Sequence, residues 1–130
     1  MKRLSLFLLL VSLSFSKHVI SGSISGLSGR YPIIVSIYNE QFWSDRKPLE
    51  QMVLSVDEKN KTFEFIVSDN DYGLVVVEDK DNNGKMSFGL FGPSEPAKVY
   101  NLNKIVFGPP NFDDFKFNVS VDVKDLIIKF

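Results

Sequence analysis

Apolar residues recur at every second position along most of this chain. Tyr31, Ile33, Val35 and Ile37 share one phase, and Glu50, Met52, Leu54 and Val56 share another. Phe63, Phe65 and Val67 alternate with Thr62, Glu64 and Ile66. Successive side chains leave a strand on opposite faces, so a period of two predicts extended segments with one face buried. Leu74-Val75-Val76-Val77 is apolar in both phases, which predicts a central strand covered on both sides. Phe115, Phe117, Val119, Val121 and Val123 resume the alternation, and the phase then flips to Leu126, Ile128 and Phe130. A flip of one residue predicts a bulge or turn near Lys124-Asp125.

Polar clusters at 57–61 and 68–71 read as turns between these segments, and no long stretch carries the 3.6-residue period of an amphipathic helix. The expected fold is therefore all-β, a single antiparallel β-sandwich of about seven strands without a substantial helix. Outer-membrane barrels need tilted strands of about 9–11 residues with lipid-facing apolar groups throughout, which this pattern does not supply.

The first sixteen residues follow a different logic. Lys2 and Arg3 precede an apolar run from Leu4 to Phe15, Ser14 and Ser16 are small residues two apart, and Lys17 is the first charge beyond the run. That is the layout of a secretory signal peptide. The run is shorter than the roughly 20 residues of a spanning helix. Residues 1–16 are thus expected to be removed, leaving a β-sandwich domain at 17–130 with no membrane span and a periplasmic or extracellular destination.

Composition narrows the chemistry. The chain has 130 residues, formal net charge −1, one His and no Cys. Without Cys there are no disulfides, thiolate-held metals or thiol nucleophiles. A single histidine at 18 leaves no histidine cluster and no obvious triad. Near-neutral charge argues against nucleic acid as a partner, which would leave a basic patch or stripe.

One segment has candidate chemistry. Asp79, Asp81 and Asn83 place oxygen-bearing side chains at alternate positions, Gly84 permits a sharp turn, and Lys85 can offer its backbone carbonyl. This matches the first half of a calcium loop, since calcium takes six to eight hard oxygens at about 2.3–2.6 Å. The second half is missing, because Leu90 stands where a bidentate Glu is needed. Glu95 or the Asp113-Asp114 pair is left to complete a shell. The competing reading is a tight hairpin turn, for which Asn83-Gly84 is a standard signal.

Several segments taken together resemble one bacterial family. Tyr72-Gly73 opens a Val-rich strand, and Glu78-Asp79, Asp81 and Asn83-Gly84-Lys85 follow. Pro93-Ser94-Glu95-Pro96 comes next, and then Phe107-Gly108-Pro109-Pro110-Asn111-Phe112-Asp113-Asp114-Phe115. In order and spacing these are similar to the exported domain of unknown function family 2141. The resemblance implies a small exported β-sandwich, immunoglobulin-like or transthyretin-like, and no assigned activity. The chain departs from the family pattern at Phe91, Lys98 and Tyr100.

Three function classes follow. The first is a non-enzymatic binding module for a protein, peptide or glycan of the cell envelope. Its surface would lie in the irregular segment 88–112, through Phe88, Phe91 and Tyr100, with calcium holding the preceding loop. The second is a purely structural or accessory envelope domain whose Asp-rich loop is only a turn. The third is a hydrolase built on a carboxylate pair such as Glu95 and Asp113, and the residue inventory points away from it. Trp43, beside Phe42, is read as core or sandwich-end packing rather than as a sugar platform.

Overall fold

The computed structural model describes residues 16–58, 60–84, 88–89, 92–93, 97–104 and 108–130, with backbone alone at 88–89 and 92–93. Strand β1 spans Lys17–Ser25, β2 Ile33–Tyr38, β3 Glu50–Leu54, β4 Thr62–Ser68 and β5 Asn70–Glu78. Two short strands, β6 (Phe88–Gly89) and β7 (Gly92–Pro93), form a ribbon of their own. Strands β8 (Ala97–Val99), β9 (Phe117–Val119) and β10 (Val123–Lys129) complete the set. One sheet has three strands in the order β10-β1-β4. The other has five, in the order β3-β2-β5-β8, with β9 pairing β5. The five-residue helix α1, Glu40–Ser44, and a single 3-10 turn, Phe112–Asp114, are the helical elements among the described residues. The all-β sandwich expected from the alternation is what the chain forms. No helix of the described residues is long and apolar enough to cross a membrane.

The two phases of the central strands serve two different cores. Ile33, Val35 and Ile37 of β2 and Leu74 and Val76 of β5 face the three-stranded sheet, where they meet Ile20, Ile24, Phe63, Phe65, Val67 and Ile128. Tyr38, Val75 and Val77 face the other way and are covered by Trp43, Phe112 and Phe115. Every residue of β2 is buried, as is β5 from Tyr72 onward. A strand covered on both faces has no polar phase to show, which is why 74–77 reads as a continuous apolar run. Each fully buried aliphatic side chain here contributes about 1.5–3 kcal/mol.

The phase flip near the C-terminus is a bulge. Strand β10 runs parallel to β1, pairing Ile20 with Val123 and then Gly22 with Leu126, so Lys124 and Asp125 stand opposite Ser21 alone. Asp125 takes a left-handed conformation, φ 61°, which Asp tolerates better than most residues.

The single strand expected from Phe115 to Val123 does not form. Phe115 ends the 3-10 turn and packs with the Trp43 core, whereas Phe117 and Val119 belong to the core between the sheets. The alternating residues thus serve opposite sides of the five-stranded sheet, and no straight strand can do that. The chain then bends, and Val121 is 67% exposed. Val56, placed in phase with Leu54 by the sequence, lies in the turn after β3 and is exposed.

Candidate functional site

The Asp79 segment leaves the end of β5 as a tight turn closed by its own carboxylate. Asp79 is 1% exposed. Its Oδ2 accepts the Gly84 N–H at 2.8 Å and its Oδ1 the Asn83 N–H at 3.3 Å. The Asn83 N–H is shared with Asp81 Oδ1, also at 3.3 Å, and the Asn83 amide donates to Asp81 Oδ2 at 3.0 Å. Asn82 is left-handed at φ 54° and Gly84 at φ 72°. Asn, Asp and Gly occupy these places because short polar side chains bond the local backbone and Gly has no Cβ to clash. The turn is anchored to the sheet by the Asp79 N–H donating to Pro32 O at 2.9 Å and by Gln51 Nε2 donating to Gly84 O at 2.9 Å. Beside it, Glu78 is 5% exposed and accepts from the Ser28 hydroxyl at 2.7 Å.

Asp79, Asp81 and Asn83 therefore do come together. Lys85 and Glu95 lie outside the described residues, as does Phe91, and of Phe88 only the backbone is described. Among the described residues no group of three or more acidic or histidine side chains is arranged to hold a metal ion. Tyr100 is half-buried, edge-on to Phe117 with ring centroids 5.4 Å apart, and packs against the core between the sheets. Asp113 pairs with Lys116 at 3.1 Å and Asp114 with Lys104 at 2.8 Å. Hydrogen bonding to Lys104 holds the Asp114 carboxyl below its ordinary range, and Asp113 raises Lys116 above its own.

A second feature lies on the other side of the five-stranded sheet. An open cleft of about 530 Å³ separates the end of α1 from the segment Pro110–Asp114. Its floor is Trp43, which is 5% exposed and donates its indole N–H to Pro110 O at 2.9 Å. That indole meets Tyr38 and Phe115 edge to face, so it is core, not an open platform. Burial pushes the Tyr38 hydroxyl above its usual value. Asn39 caps α1, its side chain accepting the Phe42 N–H at 2.9 Å.

Arg46 follows the helix and borders the cleft. Its guanidinium carbon stands 4.7 Å from the Trp43 ring centroid, and Nη1 donates to Trp43 O at 3.0 Å. Glu40 and Ser44 line the same cleft. Nothing in the spacing of Glu40, Ser44 and Arg46 marks them in the sequence. They meet because a five-residue helix packs its one buried side chain, Trp43, against a segment distant in the chain.

Neither a curated protein nor a solved structure matches this chain. A family model described as "Uncharacterized protein conserved in bacteria (DUF2141)" matches residues 24–126, which include strands β2 to β9, the Asp79 turn and the walls of the cleft. On that match the chain belongs to the bacterial DUF2141 family.

Proposed function

We propose that this protein is an exported β-sandwich that acts by binding, not by catalysis, and that the cleft between α1 and Pro110–Asp114 is its working surface. The observation that carries this reading is the cleft itself. At about 530 Å³ it falls within the size of small-ligand sites, and its floor is a tryptophan locked in place by a hydrogen bond and two ring contacts. Rigid walls lower the ordering cost of binding. The basic start, short apolar run and Ser14-x-Ser16 pattern support export, with Lys17 as the mature N-terminus.

A thermal-shift screen of envelope glycan fragments, short peptides and small metabolites tests the reading, run on wild type and on Ser44→Trp, which fills the cleft. Ligands that stabilise wild type and not the variant support it. Shifts that survive in the variant move the site elsewhere. Turnover of a peptide or glycan by the pure protein overturns it. The intact mass of the exported protein tests the N-terminus, and retention of residues 1–16 removes the support for export.

Calcium at the Asp79 turn is a second reading, favoured by the convergence of Asp79 Oδ1 and Asp81 Oδ1 on the one Asn83 N–H. A weak site of the extracellular kind would raise the melting midpoint by about 2–8 °C at millimolar calcium over chelator. Magnesium would do less, because it dehydrates reluctantly. An absent shift, or an equal one in Asp81→Ala, leaves the segment a turn.

A further inference from the structure

Four non-glycine residues take positive φ among the described residues: Arg46 (57°), Asn82 (54°), Asn101 (66°) and Asp125 (61°). Three of them are Asn or Asp, whose short polar side chains tolerate the left-handed region. Arg46 is the exception. It occupies the position after a helix end where glycine is usual. The Arg46 N–H donates to Trp43 O at 3.1 Å and the Lys47 N–H to Phe42 O at 3.0 Å, the paired bonds of a closed helix terminus. A side chain with a Cβ costs stability there that glycine would not.

The Arg46 side chain has a defined place in spite of that cost. It lies on the Trp43 ring with one Nη1–H committed to a backbone carbonyl. A guanidinium carries five N–H donors in a rigid plane, so donors remain for a ligand. Among the described residues no carboxylate stands within ion-pair distance of it. The acids of the cleft's far wall are already answered, Asp113 by Lys116 and Asp114 by Lys104. Glu40 is the remaining acid of the lining, and its charge is felt at Lys116.

We infer that Arg46 is the anchor of the cleft and that the ligand it receives is a small organic molecule bearing a carboxylate. A planar carboxylate matches the guanidinium fork, and the indole beneath fixes the plane of that fork before the ligand arrives. The inference rests on the cleft reading above and adds the chemical class of the ligand. It also accounts for an arginine in a glycine position: the backbone cost at 46 is the cost of holding a cation over the cleft.

Trp43 is the one tryptophan of the chain, so its emission reports the site directly. The probes are glutarate, glucuronate and N-acetylalanine, each titrated beside its uncharged amide, into wild type, Arg46→Gly and Arg46→Gln, while Ser44→Trp, which adds a second tryptophan, is read by thermal shift. The expected result is a saturable change in Trp43 emission with at least one carboxylate and none with its amide. Charge-assisted bonds of about 1.5–3 kcal/mol make the expected loss in Arg46→Gly and Arg46→Gln roughly tenfold to a hundredfold in affinity.

Arg46→Gly relieves the backbone and is expected to stay folded, and Arg46→Gln provides the same test if it does not. The inference is overturned if no carboxylate probe perturbs wild type, or if binding persists in both Arg46 variants. Neutral ligands that bind wild type, are lost in Ser44→Trp and are indifferent to Arg46 overturn the carboxylate assignment while the cleft stands as a binding surface. If nothing from the probes or the screen engages the cleft, both readings fall.

Discussion

Gly73 lies directly under the ring of Phe115. A β-carbon built at Gly73 would stand 2.2 Å from Phe115 Cε2 and 2.8 Å from its Cδ2, well inside contact distance. The absence of a side chain in the middle of β5 makes the seat in which Phe115, fully buried, closes the second core. Phe115 in turn meets Trp43 edge to face at 5.1 Å and Phe112 at 5.6 Å, so the floor of the cleft rests indirectly on Gly73.

Gly73→Ala is therefore expected to destabilise the fold by about 1–3 kcal/mol, since the clash is with a ring that is packed on its other side. Urea unfolding of Gly73→Ala, Phe115→Leu and the double variant checks it. The double variant should be more stable than the sum of the two losses predicts, because the smaller side chain frees the space the alanine needs.

Trp43→Phe keeps a ring in the floor and removes the indole N–H. Pro110 O, at a buried residue, then loses its donor. The expected cost is about 1–3 kcal/mol, that of leaving a buried acceptor without a partner. Chemical denaturation reads it, and an unchanged midpoint would mean that water reaches the Pro110 carbonyl.

Asp79 supports the turn whether or not an ion visits it. In chelator, Asp79→Ala should lower the melting midpoint more than Asp79→Asn. Alanine takes the acceptor from the Gly84 N–H and leaves the Asn83 N–H to Asp81 alone, whereas the asparagine oxygen keeps one of the two bonds. Equal midpoints for wild type and Asp79→Ala in chelator would show that the carboxylate serves the turn only through a cation.

The Asp114–Lys104 pair links the cleft wall to the segment before it. Lys104 hydrogen bonding lowers the Asp114 carboxyl below its ordinary 3.8 in the folded chain. A carboxyl depressed on folding contributes stability above its unfolded value and loses it as pH falls through the folded one. The gap in urea midpoint between wild type and Asp114→Asn should thus be constant near neutrality and close below about pH 4. A gap that persists in strong acid would assign the difference to geometry rather than charge.

The strand architecture was legible because alternation is a local signal of burial on one face. Ile33, Val35 and Ile37 declare their face within a few residues, and the unbroken run 74–77 declares two covered faces. The flip at Lys124-Asp125 declares a bulge or a turn for the same reason, and the pairing of β10 with β1 makes it a bulge. The Asp79 turn was equally local, since Asp, Asn and Gly close a loop with bonds to their own backbone. Such signals survive in a single sequence because every interaction that sets them lies within one strand or one turn.

Which core each face belongs to was not local. Phe115, Phe117 and Val119 are in phase in the sequence, yet the fold sends the first to one side of the five-stranded sheet and the others to the opposite side. The parallel pairing of the first strand with the last, the seat that Gly73 makes for Phe115, and the meeting of Trp43 with Pro110 are all of this kind. Each depends on contacts between residues far apart in the chain, whose distances are set only when the sheets have packed. A sequence states which side chains must leave water, and tertiary structure decides against what they come to rest.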